Sequence, residues 1–308
     1  MKAVIYTKYG GAEVLQHTRL PIPEPRENEM RVKIHTATIT AGDVRLRASD
    51  FPPLFWLPAR LIFGLFRPKK RILGHEFSGV VEKLGKAVTQ FKVGDAVFGT
   101  TTMLSSGSHA EYLCVPETWK QGVVTHKPEA LGFKEAAALP VGGMTALYLW
   151  EKAKLHSGQQ VLVYGASGSV GSFAVQLAKH FGAKVTAVCS TRNQEMVKTL
   201  GADTVLDYTR ENYTKLPNKF DSVFDAVGKT SSSAAKKVLK VGGSFVSVKK
   251  ITFESMEHLL TLSQLAAMGK ILPFIDRSYA FKDIIAAHNY VDKGHKRGNV
   301  VVEIVTQI

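Results

Sequence analysis

The stretch VLVYGASGSVGSFAVQLAK, residues 161–179, decides the fold. An apolar run at 161–164 enters the turn Gly165-Ala166-Ser167-Gly168-Ser169-Val170-Gly171, and an amphipathic helix pattern follows at once. A buried strand, a glycine turn and a helix in that order open a dinucleotide-binding unit. Gly168 has no Cβ to hold the backbone away from a pyrophosphate, and Gly171 lets helix and strand approach closely. The N–H groups at the helix start then face the anion, so Ser167, Gly168, Ser169 and Val170 are expected to bind it. Ala166 stands where the usual G-x-G-x-x-G has its first glycine, and the strand and helix around it carry the assignment instead.

Outward from this turn the same grammar repeats: KVTAVC, TVLDY, FDSVFDAVG and SFVSV read as buried strands, separated by helical QEMVKTLG and SSAAKKVLKVGG. Apolar strands alternating with amphipathic helices make an α/β fold with a doubly wound parallel sheet, expected over 117–255. The second strand chooses the dinucleotide. An NAD site ends it in Asp or Glu for the ribose hydroxyls, but here it runs into Ser190-Thr191-Arg192-Asn193, with no carboxylate until Glu195. Hydroxyls and a guanidinium suit a 2′-phosphate, so NADP is the expected cofactor, with Ser190 and Arg192 as ligands. Tyr208, after the third strand, packs on the adenine, reaches the same phosphate, or is a plain surface tyrosine. Only two lysines separate the strand ending near Val248 from the β-prone ITF at 251–253, too few for a parallel crossover, so an element of the usual fold is shortened here.

Residues 1–116 read as short alternating strands broken by glycine, proline and charge, a β-rich domain to which 256–308 return their last strand, NVVVEIV. Two domains also suit 308 residues. Cys114 and Cys189 are the only cysteines, which excludes a disulfide framework and a four-cysteine zinc lobe. With no apolar run of membrane length, and an amino terminus that enters a strand pattern directly, the expectation is a reduced, cytoplasmic protein without a membrane span. The net charge of +14, 40 basic against 26 acidic residues, permits an anionic partner. The basic residues are scattered and the densest run is RPKKR at 67–71, so a solvated basic surface is the simpler reading. The stretch FPPLFWLPARLIFGLF, 51–66, has three prolines and five aromatics. It is expected to be a buried or partner-covered loop, or the wall of a pocket for an apolar substrate.

Taken together, GDVRLR, GHEFSGVV, VGDAVFG, GASGSVG, VCSTRN, FDAVG and GHKRGNVVV resemble the medium-chain dehydrogenase/reductase superfamily, and within it the zinc-free quinone oxidoreductase branch that includes zeta-crystallin and plant enone reductases. The resemblance implies a GroES-like catalytic domain built from both chain ends (1–116 and 256–308), a Rossmann domain between them, and an active site in the cleft. Zinc enzymes of the superfamily carry an early Cys-x-x-Asp with a hydroxyl relay. The matching stretch here is Thr40-Ala41-Gly42-Asp43, which lacks both the ligand cysteine and the relay. His75 remains from the Gly-His-Glu motif, but one ligand does not make a catalytic zinc site. Without a Lewis acid the expected acceptor is a quinone or an α,β-unsaturated carbonyl, which spreads negative charge onto its own oxygen.

The resemblance further implies that Thr145 lies near the nicotinamide or its phosphates, that Val227 and Val248 edge the nicotinamide pocket, and that Arg297 or Asn299 lies near the cofactor. Asp43, Arg45 and His75 are candidate proton donors, with solvent an equal alternative. A homodimer is compatible with this reading. The competing function is an NADPH-binding protein with a non-enzymatic role at RNA or at a membrane surface. No aromatic-rich basic strand pair of the RNA-binding kind is visible, so nucleic acid is not expected.

Overall fold

A computed structural model describes residues 1–101, 107–119, 122–217 and 219–305. The chain divides into two units, Met1–Pro140 with Ile275–Ile308, and Val141–Phe274.

In the first unit β1 (Lys2–Tyr6) and β2 (Leu15–Arg19) pair as an antiparallel ribbon. The main sheet is built around β3 (Glu29–Thr38), whose alternating pattern puts Met30, Val32 and Ile34 into the core while their neighbours face out. Between β3 and β4 (Glu76–Leu84) lie α1 (Ala41–Ala48) and α2 (Pro53–Phe63). Then come β5 (Ala96–Thr100), β6 (Tyr112–Pro116), β7 (Val124–His126) and α3 (Phe133–Ala138). The order is β13-β14-β3-β4-β5-β7, with β6 also on β3. Its first two strands, β13 (Ile275–Ala280) and β14 (Asn299–Glu303), come from the far end of the chain and flank α9 (Ile284–Asp292).

The second unit contains α4 (Pro140–Lys152), β8 (Gln160–Tyr164), α5 (Ser169–His180), β9 (Lys184–Cys189), α6 (Gln194–Thr199), β10 (Thr204–Asp207), β11 (Phe220–Asp225), α7 (Ser232–Lys236), β12 (Leu239–Ser247) and α8 (Met256–Ala267). Its sheet is parallel throughout, in the order β10-β9-β8-β11-β12. The chain crosses from β8 to one side through α5 and later to the other side at β11, so the point where strand order reverses lies at the end of β8. Helix α5 buries Phe173, Ala174 and Leu177, and the Trp150 indole donates to the Ala174 carbonyl at 2.9 Å.

Two expectations are corrected. The units divide at 140 and 274 rather than 116 and 255, because β7 pairs with β5 and α3 packs on β3 and β4, while 256–274 stay with the parallel sheet. In keeping with the short spacing after Val248, residues 251–253 form no strand, and among the described residues the parallel sheet ends at β12. The stretch 51–66 is not a buried loop: it contains α2, none of whose residues is buried. No helix among the described residues is long and apolar enough to cross a membrane.

Candidate active site

The parallel registers bring the carboxyl ends of all five strands to one edge: Tyr164 opposite Val188 and Asp225, Asp207 opposite Cys189, and Asp225 opposite Ser247. The loops that leave this edge carry Gly165–Val170, Ser190–Arg192, Tyr208, Val227 and Val248. Sequence separation is thus converted into proximity by strand pairing alone.

At the centre of the edge, Gly165 holds φ +79°, and the N–H groups of Gly165 and Ala166 both donate to the Val188 carbonyl, at 2.9 and 3.1 Å. This folds the turn back onto the start of α5. A methyl at Gly171 would stand 2.2 Å from the Gly165 carbonyl oxygen, so helix and turn are in backbone contact there. A methyl at Gly168 would meet nothing nearer than that oxygen at 3.6 Å. Gly168 therefore fronts open space that a Cβ would occupy, as a pyrophosphate cradle requires. It is also the N-cap of α5 and offers no side-chain acceptor, so the start of the helix presents the positive end of its dipole. Gly142 of α4 comes so close to Ser169 that a Cβ would stand 2.4 Å from its hydroxyl. Thr145, one turn further along α4 and half-buried, shares that face.

Beside the cradle, buried Asn193 donates from one amide nitrogen to the hydroxyls of Ser167 (2.9 Å) and Ser190 (3.2 Å). Both serines accept there, which leaves each hydroxyl proton available to an anion. Arg192 is exposed on the same short turn. Asp207, at the end of β10, accepts from the hydroxyls of Thr191 and Thr209, the latter at 2.7 Å, and from the Thr209 N–H at 2.9 Å. Those bonds hold its carboxyl below the usual range, and Arg210 stands 3.9 Å away. Tyr208 is exposed at the same corner. On the other side of β8, buried Asp225 accepts from the N–H groups of Val227, Gly228 and Lys229 (3.3, 2.9 and 3.3 Å) and from the Ser247 hydroxyl (2.9 Å). This carboxylate fixes the turn that lays Val227 against Gly165, while Val248 donates to the Asp225 carbonyl at 3.0 Å. Asn193, Asp207 and Asp225 were not singled out from sequence. An Asp at the end of a buried strand, as in VFDAVG, was the available signal.

The remaining candidates belong to the first unit. Asp43 is buried and forms a capping box with Thr40: its N–H donates to the Thr40 hydroxyl at 3.1 Å, and its carboxylate accepts from the Thr40 hydroxyl (2.6 Å) and N–H (2.9 Å). The second carboxylate oxygen accepts the Gly74 N–H at 2.9 Å. Burial pushes the Asp43 carboxyl up, but His109, the Thr40 donors and His288 outweigh it and keep the group below its usual range. Asp43 is corrected from proton donor to structural tie, because a carboxylate so bonded stays ionised. Arg45 points into solvent, whereas Arg47 is the buried arginine of α1, bidentate to Asp292 at 2.7 Å and donating to His288 Nδ1 at 3.1 Å. Arg45 is likewise unsuited as a donor, since a guanidinium does not release its proton near neutrality. His75 is half-buried in the turn before β4, and the next residue, Glu76, accepts the Thr38 hydroxyl at 2.5 Å. Arg297 is held by Asp276 through its N–H (3.0 Å) and Nε (2.9 Å), and Asn299 is buried at the start of β14.

A zinc ion does not fit these residues. The Thr40 hydroxyl is engaged with Asp43 as both donor and acceptor, and Cys114 lies on β6 opposite Arg31, its thiol pushed up to about 11 by burial beside Glu29. Among the described residues no three His, Cys, Asp or Glu side chains are grouped to hold a metal.

Residues 26–129 match the family described as alcohol dehydrogenase GroES-like domain, and 169–273 and 250–302 match zinc-binding dehydrogenase families. A 2-methylene-furan-3-one reductase of Solanum lycopersicum is 37% identical over 98% of this chain and 79% of its own. An NADPH-dependent alkenal/one oxidoreductase of Arabidopsis thaliana, chloroplastic, is 33% identical over the same shares, 98% and 79%. The solved quinone oxidoreductase of Coxiella burnetii superposes with a TM-score of 0.84 at 27% identity, covering 99% of both chains.

Proposed function

This chain belongs to the medium-chain dehydrogenase/reductase superfamily, in its quinone oxidoreductase branch, and from that premise we propose that it reduces quinones or α,β-unsaturated carbonyls with NADPH and without zinc. The observation that carries the reading is the Thr40–Asp43 capping box, in which the residue at the zinc-cysteine position spends its hydroxyl on closing a helix.

When bound, NADPH supplies a hydride from nicotinamide C4. The first turn of α5 and the Ser167 hydroxyl hold the pyrophosphate, with Gly168 allowing the close approach. Ser190 and Arg192 take the 2′-phosphate, the guanidinium as a bidentate donor. Asp207, turned to Thr191 and Thr209 with Arg210 3.9 Å away, stays ionised at this corner, so the Arg192 guanidinium offsets its repulsion of that phosphate. Val227, fixed by Asp225, and Val248 give the nicotinamide side of the edge an apolar rim that excludes water. Thr145 orients the same end of the cofactor from α4.

Charge that develops on an enone or quinone oxygen is delocalised within the acceptor, so no Lewis acid is required, whereas a simple aldehyde places it on one alkoxide oxygen. With Asp43 locked as an ionised tie and Arg45 unable to act as an acid, His75 or water delivers the proton to the reduced acceptor. A screen of NADPH oxidation against quinones, alkenals, enones and saturated aldehydes, with and without a chelator, tests the proposal. Turnover of the conjugated acceptors that is indifferent to the chelator is expected. Aldehyde or alcohol turnover that the chelator abolishes would overturn it.

A further inference from the structure

Helix α2 carries two unlike faces. Trp56, Arg60 and Phe63 lie on one side, and that side is bound to the rest of the first unit. The Arg60 guanidinium sits 4.0 Å over the Tyr9 ring, the Tyr9 hydroxyl donates to the Gly64 carbonyl at 2.7 Å, and Phe63 stacks on Phe51 with ring centroids 5.8 Å apart. Lys69 adds two bonds, from its N–H to the Phe63 carbonyl (2.8 Å) and from Nζ to the Leu61 carbonyl (3.0 Å). The opposite side is Leu54, Leu57, Pro58, Leu61 and Ile62, spaced three and four apart so that they form one stripe, with Phe55 at its margin. Leu65 and Phe66 extend it past the helix end. All of these are exposed, Leu54 at 82% and Phe66 at 86%. A contiguous apolar face held rigidly outward marks a docking surface.

Charge identifies the partner. Residues 51–75 contain no Asp or Glu, and Arg67, Lys69 and Arg71 are exposed immediately after the stripe. A second copy docked face to face across a twofold would bring two such basic clusters together, which is repulsive. An anionic bilayer offers what both parts require, hydrocarbon for the stripe and negative headgroups for the basic tail. At 11 residues α2 is about 16 Å long, well short of a span, and Pro58 offers no N–H to the Leu54 carbonyl, which suits the hydrated interface rather than the hydrocarbon centre. We infer that the outward face of α2 and the basic segment 67–71 seat this protein on anionic membrane surfaces as a peripheral, non-spanning enzyme.

Co-sedimentation of the whole protein with vesicles of phosphatidylcholine alone, and of phosphatidylcholine mixed with phosphatidylglycerol, tests this. Binding is expected to the anionic vesicles only, and to weaken with salt. The triple variant R67E/K69E/R71E should lose about 100-fold or more in vesicle affinity. The variant L54S/L57S/L61S/I62S should lose a comparable factor while its basic tail is intact. Unchanged NADPH titration in both variants confirms that they fold, and the charge variant alone suffices if the apolar one does not. The inference is overturned if wild type ignores anionic vesicles, or if either variant binds them as wild type does. It is equally overturned if the serine variant halves the sedimenting mass, or raises KM for apolar acceptors in vesicle-free solution, while the wild-type protein shows no vesicle binding. Those results would make the face a subunit interface or a substrate wall.

Discussion

Arg192 and Asp207 act on the same charge from opposite signs. Asp207, bonded to Thr191 and Thr209, stays ionised near the second strand's end and opposes a 2′-phosphate, so Arg192 has to offset it and decides the preference. Arg192→Ala should therefore weaken NADPH by about 1 to 3 kcal/mol, the cost of one charge-assisted contact, and leave NADH nearly unchanged. Fluorescence titration with both cofactors measures the difference, and equal losses would reject the assignment. The arginine was readable from composition of the turn alone. Asp207 was not, because only the β9–β10 pairing brings it across to Thr191.

At the scale of the element, α5 shows how two glycines three residues apart carry different work. A methyl at 171 collides with the backbone of Gly165 and Ala166, at 2.2 and 2.8 Å, so Gly171→Ala should cost about 1 to 3 kcal/mol of stability by urea denaturation. At 168 the methyl finds room, so Gly168→Ala should unfold like wild type but bind NADPH at least about tenfold more weakly, since the methyl enters the space of the pyrophosphate. If the stability loss falls on Gly168→Ala instead, the cradle is misassigned. This element was legible because its signals are local: strand, turn and helix follow one another within 20 residues. Helix α2 was illegible for the opposite reason. Three prolines and an all-apolar outward face argue against a helix in water, and the partners that hold it, Tyr9 and Phe51, are known only from the fold.

Across the molecule, the first unit closes on a buried polar cluster that no single motif announces. Asp43 on α1, Arg47 one turn later, His109 before β6 and His288 on α9 meet there, with the two imidazoles edge to face at 5.3 Å. Burial drives both histidines below their usual range, His288 well below. The unfolded chain takes up protons on these rings near pH 6.5, while the folded chain does not, so acidification through that range favours unfolding. Asp43 adds a second decline with the same sign lower down, as pH falls from about 4 toward its depressed folded value. The urea midpoint should fall as pH drops from about 7 toward about 5, and fall again below about pH 4. A midpoint that rises on acidification would contradict the burial of neutral imidazoles. The division of the chain at 140 and 274 was hidden similarly, since it depends on which sheet accepts β7 and α3.

The central claim is that hydride goes to conjugated carbon without a metal. Its most direct measurement is the position of label in the product formed from NADPH deuterated at the transferable C4 position and an acyclic enone, with protein dialysed against a chelator. The account predicts a saturated ketone with deuterium on the β-carbon, formed at the undialysed rate. Deuterium on the carbonyl carbon, or turnover lost on dialysis and restored by zinc, would contradict it.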